Sequence, residues 1–276
     1  MKILQVADVV RYGSMTTSEL RNTFLVDDLF QPGKFCFTYV DLDRTVIGSA
    51  VPGKNPLLLP SDESLKASYF TERRELGILN IGGAGTVKVN EQEFQLNRLD
   101  ALYIGRGNET VSFTSVDAES PAEFYLLSYP AHTPHATRLI RSADLPRVQL
   151  GAHESANARE ITKLIHLEGV RSCQLVMGFT QLASGSVWNT MPPHTHMRRS
   201  EVYLYFDMKP KERVIHLMGP RHETRHIVVA NKQVVISPGW SIHAGVGTTH
   251  YSFCWGMGGE NQDYSDMDAV AAEDLL

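Results

Sequence analysis

The feature that most limits how this chain can fold is the brevity of its apolar segments. FCFTYVDL (35–42), GILNI (77–81), TVKV (86–89), ALYIG (101–105), FYLLSY (124–129), EVYLYF (201–206), RVIHLM (213–218), HIVVA (226–230) and QVVIS (233–237) are rich in Val, Ile, Phe and Tyr, and glycines, prolines and polar turns interrupt them. Short β-branched and aromatic runs between turn signals read as strands, and many of them in series predict an all-β sandwich or barrel. Helical signals are weaker. They fall near Met15 to Leu29, with Thr17 as an N-cap before Glu19-Leu20-Arg21, and in Ser155 to Leu164. Helices should be few and peripheral.

A chain of 276 residues can bury two ordinary cores, and its halves echo each other. Glu72-Arg73-Arg74-Glu75-Leu76 opens a strand in the first half, with Asp100-Ala101-Leu102-Tyr103-Ile104-Gly105 later. Met197-Arg198-Arg199-Ser200-Glu201-Val202 opens one in the second, with Val234-Val235-Ile236-Ser237-Pro238-Gly239 at a similar remove. This points to duplication of a β unit. The polar, proline-marked stretch from Ala131 to Pro146 sets the boundary near residue 150, giving domains 1–150 and 151–276.

A formal charge of -5 offers no basic stripe for nucleic acid and no polybasic cluster for a membrane surface. The opening MKILQVADVVRYGSM has Gln5, Asp8 and Arg11 among its apolar residues, unlike a signal peptide, and no run of 18 apolar residues occurs. Three scattered cysteines, Cys36, Cys173 and Cys254, are poor material for a disulfide framework. The expectation is a reduced, cytoplasmic enzyme.

The chemistry is concentrated in Pro193-His194-Thr195-His196-Met197-Arg198-Arg199-Ser200-Glu201, followed downstream by Ser237-Pro238-Gly239-Trp240-Ser241-Ile242-His243. On an extended strand, His194 and His196 point to one face about 7 Å apart, near enough to converge on one ion. Glu201 adds an oxygen donor, and His243 can close the set from a neighbouring strand. Three imidazoles and a carboxylate suit zinc, iron, manganese or nickel, and ligand type alone does not choose among them. Arg198-Arg199 beside the ligands is either a solvated face or a counter-charge for an anionic substrate.

Two other motifs are weaker. His222-Glu223-Thr224-Arg225-His226 spells the H-E-x-x-H of zinc peptidases, but it follows Gly219-Pro220 and runs into Ile227-Val228-Val229. On a strand its histidines lie roughly 13 Å apart and cannot share an ion. Gly82-Gly83-Ala84-Gly85 precedes a strand, so it reads as a turn and not as a phosphate loop.

The His-x-His, Glu and Pro-Gly-x-x-x-His pieces resemble the two metal motifs of the cupin superfamily, with departures. No glycine sits at the usual place after Glu201, and Gly239 directly follows Pro238. The first half has Tyr69-Phe70-Thr71-Glu72 where the second has its histidines, which implies a metal-free first cupin and a bicupin of two jelly rolls.

Over almost its whole length the chain further resembles the 4-deoxy-L-threo-5-hexosulose-uronate ketol-isomerase family. The resemblance is carried by Leu20-Arg21-Asn22-Thr23-Phe24-Leu25-Val26, Glu72-Arg73-Arg74-Glu75-Leu76-Gly77, Asn80 to Thr86, Trp188-Asn189-Thr190-Met191-Pro192, Glu223 to Val228 and Trp255 to Gln262. It implies zinc on His194, His196, Glu201 and His243, with Fe2+, Mn2+ or Ni2+ as other candidates. It also implies an intramolecular aldose-ketose interconversion of a deoxy-keto-uronate during pectin breakdown, and a homo-oligomer, with a hexamer as the expected size. Glu223, His226 and Glu260 are candidates for a catalytic base, and Arg198, Arg199 and Arg225 for holding the substrate carboxylate; a hydride shift would need no base. Two readings from other classes are an iron(II) cupin dioxygenase and a non-catalytic sugar-acid-binding cupin.

Overall fold

The computed structural model of the chain describes residues 1–260 and 265–276; Asn261 and Gln262, at the end of the last resemblance segment, lie outside them. The described residues form two compact units. The first comprises Met1–Leu4, Asp28–Leu145 and Leu164–Val176, and the second Gln5–Asp27, Pro146–Lys163 and Met177–Leu276. A single cut at residue 150 does not describe them, because residues 5–27 pack with the second unit and residues 164–176 with the first.

Each unit contains a seven-stranded and a four-stranded sheet, and the strand orders correspond. The large sheet of the first runs Lys2–Leu4, Phe35–Val40, Thr45–Ala50, Phe124–Pro130, Arg74–Asn80, Ala101–Ile104, Arg138–Ile140. That of the second runs Arg147–Leu150, Arg159–Ile165, Val176–Leu182, Ser252–Gly259, Arg199–Phe206, Gln233–Ser237, Leu25–Val26. The small sheets are Leu57–Leu58, Val111–Ser115, Gly85–Val89, Gln92–Leu96 and Trp188–Asn189, Ile242–Gly247, Val214–Gly219, Arg225–Val229. One edge differs: Lys2–Leu4 joins its neighbour in parallel, whereas Arg147–Leu150 joins antiparallel.

Alternation builds the core between the sheets. In the first unit Leu76, Ile78, Leu102, Ile104 and Leu126 from the large sheet meet Val87, Val89, Leu96, Val111 and Phe113 from the small one in one buried cluster. Such residues bury about 1.5–3 kcal/mol of side-chain transfer energy each.

The predicted helix near Met15 is Thr17–Phe24, and its cap is Thr16, one residue earlier than expected. The Thr16 hydroxyl accepts from the Glu19 N–H at 3.3 Å while the Glu19 carboxylate accepts from the Thr16 N–H at 2.7 Å, a reciprocal box that satisfies two orphan donors. Leu20 and Phe24 point inward, and Phe24 meets Trp240 edge-on at 6.2 Å. The second predicted helix is absent: Arg159–Ile165 is a strand paired with Arg147–Leu150. Ile161, Thr162 and Ile165 are stiff at χ1 and suit a pleated surface better than a helix, and the neighbouring strand fixes the choice.

The glycine turn behaves as the sequence suggests. Gly85–Val89 is a strand, and a Cβ at Gly83 would stand 2.0 Å from the Ser120 carbonyl oxygen, so glycine is required there by close backbone approach. No helix among the described residues is long and apolar enough to cross a membrane.

Candidate metal centre

The four metal-type residues converge within the second unit. His194 lies on the short strand His194–Thr195, which pairs with Asp268–Ala269, and His196 follows where that strand ends. Glu201 comes from Arg199–Phe206 in the large sheet and His243 from Ile242–Gly247 in the small one, so both sheets contribute. One donor atom from each of the four lies within 4.8 Å of every other. His243 Nε2 is 3.0 Å from His194 Nε2 and 3.0 Å from Glu201 Oε2, and His196 Nε2 is 3.1 Å from the same oxygen.

Three nitrogens and an oxygen aimed at one point are what a divalent transition ion takes as ligands. At ligand distances of ~2.1 Å, neighbouring donors at right angles stand ~3.0 Å apart, so the observed spacings fit one ion.

The surroundings hold two of the donors, His194 and Glu201, in their ligating protonation states. Burial, reinforced by His243, pushes His194 down to about 3, leaving a neutral imidazole. Burial alone would raise Glu201, but His243 and His196 outweigh it and hold the carboxyl well below the usual carboxylate range. Around the donors, Asp266 Oδ1 accepts from Arg199 at 2.6 Å and stands 3.7 Å from His196 Nδ1, while Ser237 Oγ lies 3.3 Å from His243 Nδ1. Such outer contacts fix ring orientation. Tyr203 is hydrogen-bonded to Glu201 and Thr190, and burial together with the Glu201 charge raises its hydroxyl well above the ordinary range.

The cluster opens on a cavity of about 430 Å³, the size of a small-molecule site. Besides the donors His194, His196 and Glu201, its wall includes Arg159, Lys163, Tyr203, Trp255, Met257 and Met267.

The other residues singled out in the sequence go elsewhere. Arg199 is buried against Asp266, a support for His196 and not part of the wall. Arg198 is exposed, 3.6 Å from Glu260, which is itself exposed. Arg225 donates to the carbonyls of Met15 and Gly13 and lies over the Tyr12 ring, clamping the N-terminal segment of this unit. Glu223 sits in a turn 3.4 Å from Arg225, and His226 is exposed on the edge strand Arg225–Val229. None of these lines the cavity, and the H-E-x-x-H stretch is turn and strand, not helix. An edge strand at the far side of the small sheet turns such side chains to solvent or to its own flank. Arg159, Lys163, Tyr203 and Thr190 line the cavity without having been singled out in the sequence: the first two sat in a segment read as helix, Thr190 entered only within a resemblance segment, and no local motif marks Tyr203.

Solved structures share this architecture. An IolB-like protein from Salmonella typhimurium superposes with a TM-score of 0.72 at 15% identity, covering 91% of this chain and 99% of that one. Oxalate decarboxylase from Bacillus subtilis, a protein with Mn(II) centres, superposes at 0.56 with 10% identity, over 82% of this chain and 71% of that one. The fold is therefore cupin-like, and it carries a cluster of three histidines and one carboxylate.

More narrowly, the chain belongs to the KduI/IolB family, whose model matches residues 27–273. It is 52% identical over 268 residues to a 4-deoxy-L-threo-5-hexosulose-uronate ketol-isomerase from Halalkalibacterium halodurans, covering 97% of this chain and 96% of the relative. Relatives of the same name from Lachnoclostridium phytofermentans and Bacillus subtilis are 53% and 47% identical, over 97% and 94% of this chain and 96% and 94% of theirs.

Proposed function

We propose that this chain is a metal-dependent ketol-isomerase converting 4-deoxy-L-threo-5-hexosulose uronate to 3-deoxy-D-glycero-2,5-hexodiulosonate. The carrying observation is the convergence of His194, His196, Glu201 and His243 on one point beside a sugar-sized cavity, in a chain half identical to relatives of that name. The reaction moves a carbonyl from the terminal carbon to its neighbour. A bound divalent ion, zinc in our reading, supplies Lewis acidity for the two oxygens involved.

The remaining work falls to the protein's own groups. The three imidazoles and the Glu201 carboxylate hold the ion, and Asp266, Arg199 and Ser237 keep two of the rings oriented. Trp255, Met257 and Met267 wall the substrate from water. Glu201 is the one carboxylate lining the cavity among the described residues, and it is committed to the cluster. Tyr203, with its raised hydroxyl, is a poor base at neutral pH. That wall favours direct transfer of hydrogen between the two carbons over relay through a side chain. Turnover in D₂O tests it: direct transfer retains the original hydrogen, and deuterium incorporation would establish a base.

We read the two units as the jelly rolls of a bicupin acting in the cytoplasm as a homo-oligomer, a hexamer by family resemblance, with the first unit metal-free. Light scattering showing only monomer at micromolar concentration would refute the assembly. The central experiment is turnover of the deoxy-keto-uronate with and without chelator. Loss on chelation and recovery on adding zinc is expected, and undiminished turnover in metal-free protein would overturn the metal role.

A further inference from the structure

The strand Arg159–Ile165 holds the same place in the second large sheet that Phe35–Val40 holds in the first. In the first unit this strand lines a cavity of about 230 Å³ with Phe35 and Phe37. In the second it lines the larger cavity with Arg159, Ile161 and Lys163. Aromatic rings are what an inward strand position ordinarily carries, so a guanidinium there calls for a partner.

Arg159 is half-buried, and burial lowers its proton affinity, yet a guanidinium remains charged in any protein environment. One of its five N–H donors goes to the Asn157 carbonyl at 2.9 Å. Among the described residues no carboxylate stands within ion-pair distance of it, whereas Arg199, Arg141 and Arg147 each have one. A half-desolvated cation without a protein counter-charge therefore shares a wall with the metal cluster.

We propose that Arg159 is the substrate-carboxylate grip, holding the far end of a short acyclic sugar acid while its carbonyl end lies at the His194, His196, Glu201 and His243 cluster. This rests on the ketol-isomerase reading and adds the residue that makes the enzyme select an acid over a neutral sugar. Five carbon–carbon bonds span roughly 6 Å, within the reach of a cavity this size. The planar fork of arginine matches a carboxylate in two parallel hydrogen bonds, which lysine cannot reproduce.

The test compares wild type, Arg159→Met, Arg159→Lys and Lys163→Met as metal-loaded full chains, on the deoxy-keto-uronate and on its methyl ester. Wild-type turnover of the acid must come first; its absence would remove the isomerase reading and this inference with it. Given turnover, Arg159→Met should raise KM for the acid ~10- to 100-fold with kcat within a few fold and metal content unchanged. Arg159→Lys should recover part of the loss. Wild type should lose a similar factor on the ester, while Arg159→Met should treat acid and ester nearly alike. An unchanged KM in Arg159→Met, a persisting preference for acid over ester, or an effect confined to Lys163→Met would overturn the assignment. Thermal melting monitors folding, and if the Met variant is unstable, the acid-to-ester ratio in Arg159→Lys decides: an unchanged ratio overturns the proposal and a reduced one supports it.

Discussion

Leu76 and Glu201 occupy the same position in the two halves of this protein. Leu76 faces Ile104 on one neighbouring strand and Ser128 on the other, just as Glu201 faces Ser237 and Met257. Counting back from each, Thr71 stands where the second half has His196 and Tyr69 where it has His194. The first half fills the region with rings, Phe35 stacked on Phe37 at 5.4 Å and Phe37 on Phe70 at 5.6 Å. The second gathers imidazoles and a carboxylate around a larger cavity, about 430 Å³ against about 230 Å³. One strand order thus supports a ring-lined apolar region and a polar centre alike, because strands and pairings are set by backbone hydrogen bonds and alternation, while the inward side chains decide the chemistry.

The halves also use their buried carboxylates differently. Glu75, one residue before Leu76, accepts from the N–H groups of Cys173, Gln174 and Leu175 at 2.6–2.8 Å and from the Tyr103 hydroxyl at 2.8 Å. It ties down a loop of its own unit. Glu201 faces two imidazoles and has the arrangement of a ligand.

The sharpest way to break the comparison is to exchange the roles of these positions. His194→Ala with His196→Ala should abolish stoichiometric metal and lower kcat at least ~10²–10³-fold. Tyr69→Ala with Thr71→Ala should leave one metal per chain, as metal analysis would show; metal lost in the second pair and kept in the first would reverse our assignment.

Next in size is Glu75→Ala. Three N–H groups, that of Leu175 buried and those of Cys173 and Gln174 part-buried, and the buried Tyr103 hydroxyl would lose their acceptor, at a cost of about 3 kcal/mol, and melting should move down by roughly 10 °C. Glu201→Gln should instead cost metal and turnover. A silent Glu75→Ala would show that its loop is held by other contacts.

Acid should weaken the second unit in particular. His216, buried on Val214–Gly219 with Tyr205 Oη 2.7 Å from its Nδ1, is pushed down to about 3 by burial and by His243. A depressed imidazole leaves the unfolded chain binding the proton first, so the contribution is whole above about pH 6.5 and falls away as pH drops toward 3. From pH 6.5 to 5 the loss is about 2 kcal/mol for this group. Denaturation of metal-free protein should be less acid-sensitive in His216→Phe, and equal slopes would disprove the account. The smallest effect expected is that of Thr16→Ala, which removes a helix cap from the second unit for about 1 kcal/mol, measurable as a shift in denaturation midpoint.

How much of this the sequence discloses follows from the range of the forces involved. Period-two apolar runs and turn residues are local, so the strand segments, the all-β class and the non-helical character of His222 to His226 were legible. The clustering of the four metal-type residues was legible too, because His194, His196 and Glu201 fall within eight consecutive residues and His243 follows a recognisable turn. Arg159–Ile165 was misread because its residues suit either state in isolation, and only pairing with Arg147–Leu150 made it a strand. The same pairing turned Arg159 and Lys163 toward the cavity, while Glu223, His226 and Glu260, plausible by residue type, stayed outside it. The amino-acid order thus determined the strands, the duplicated plan and the cluster of three histidines and a carboxylate. Which charged side chains share a space with those donors was decided by the tertiary structure, because a wall assembled from strands distant in the chain leaves no local periodicity from which to read it.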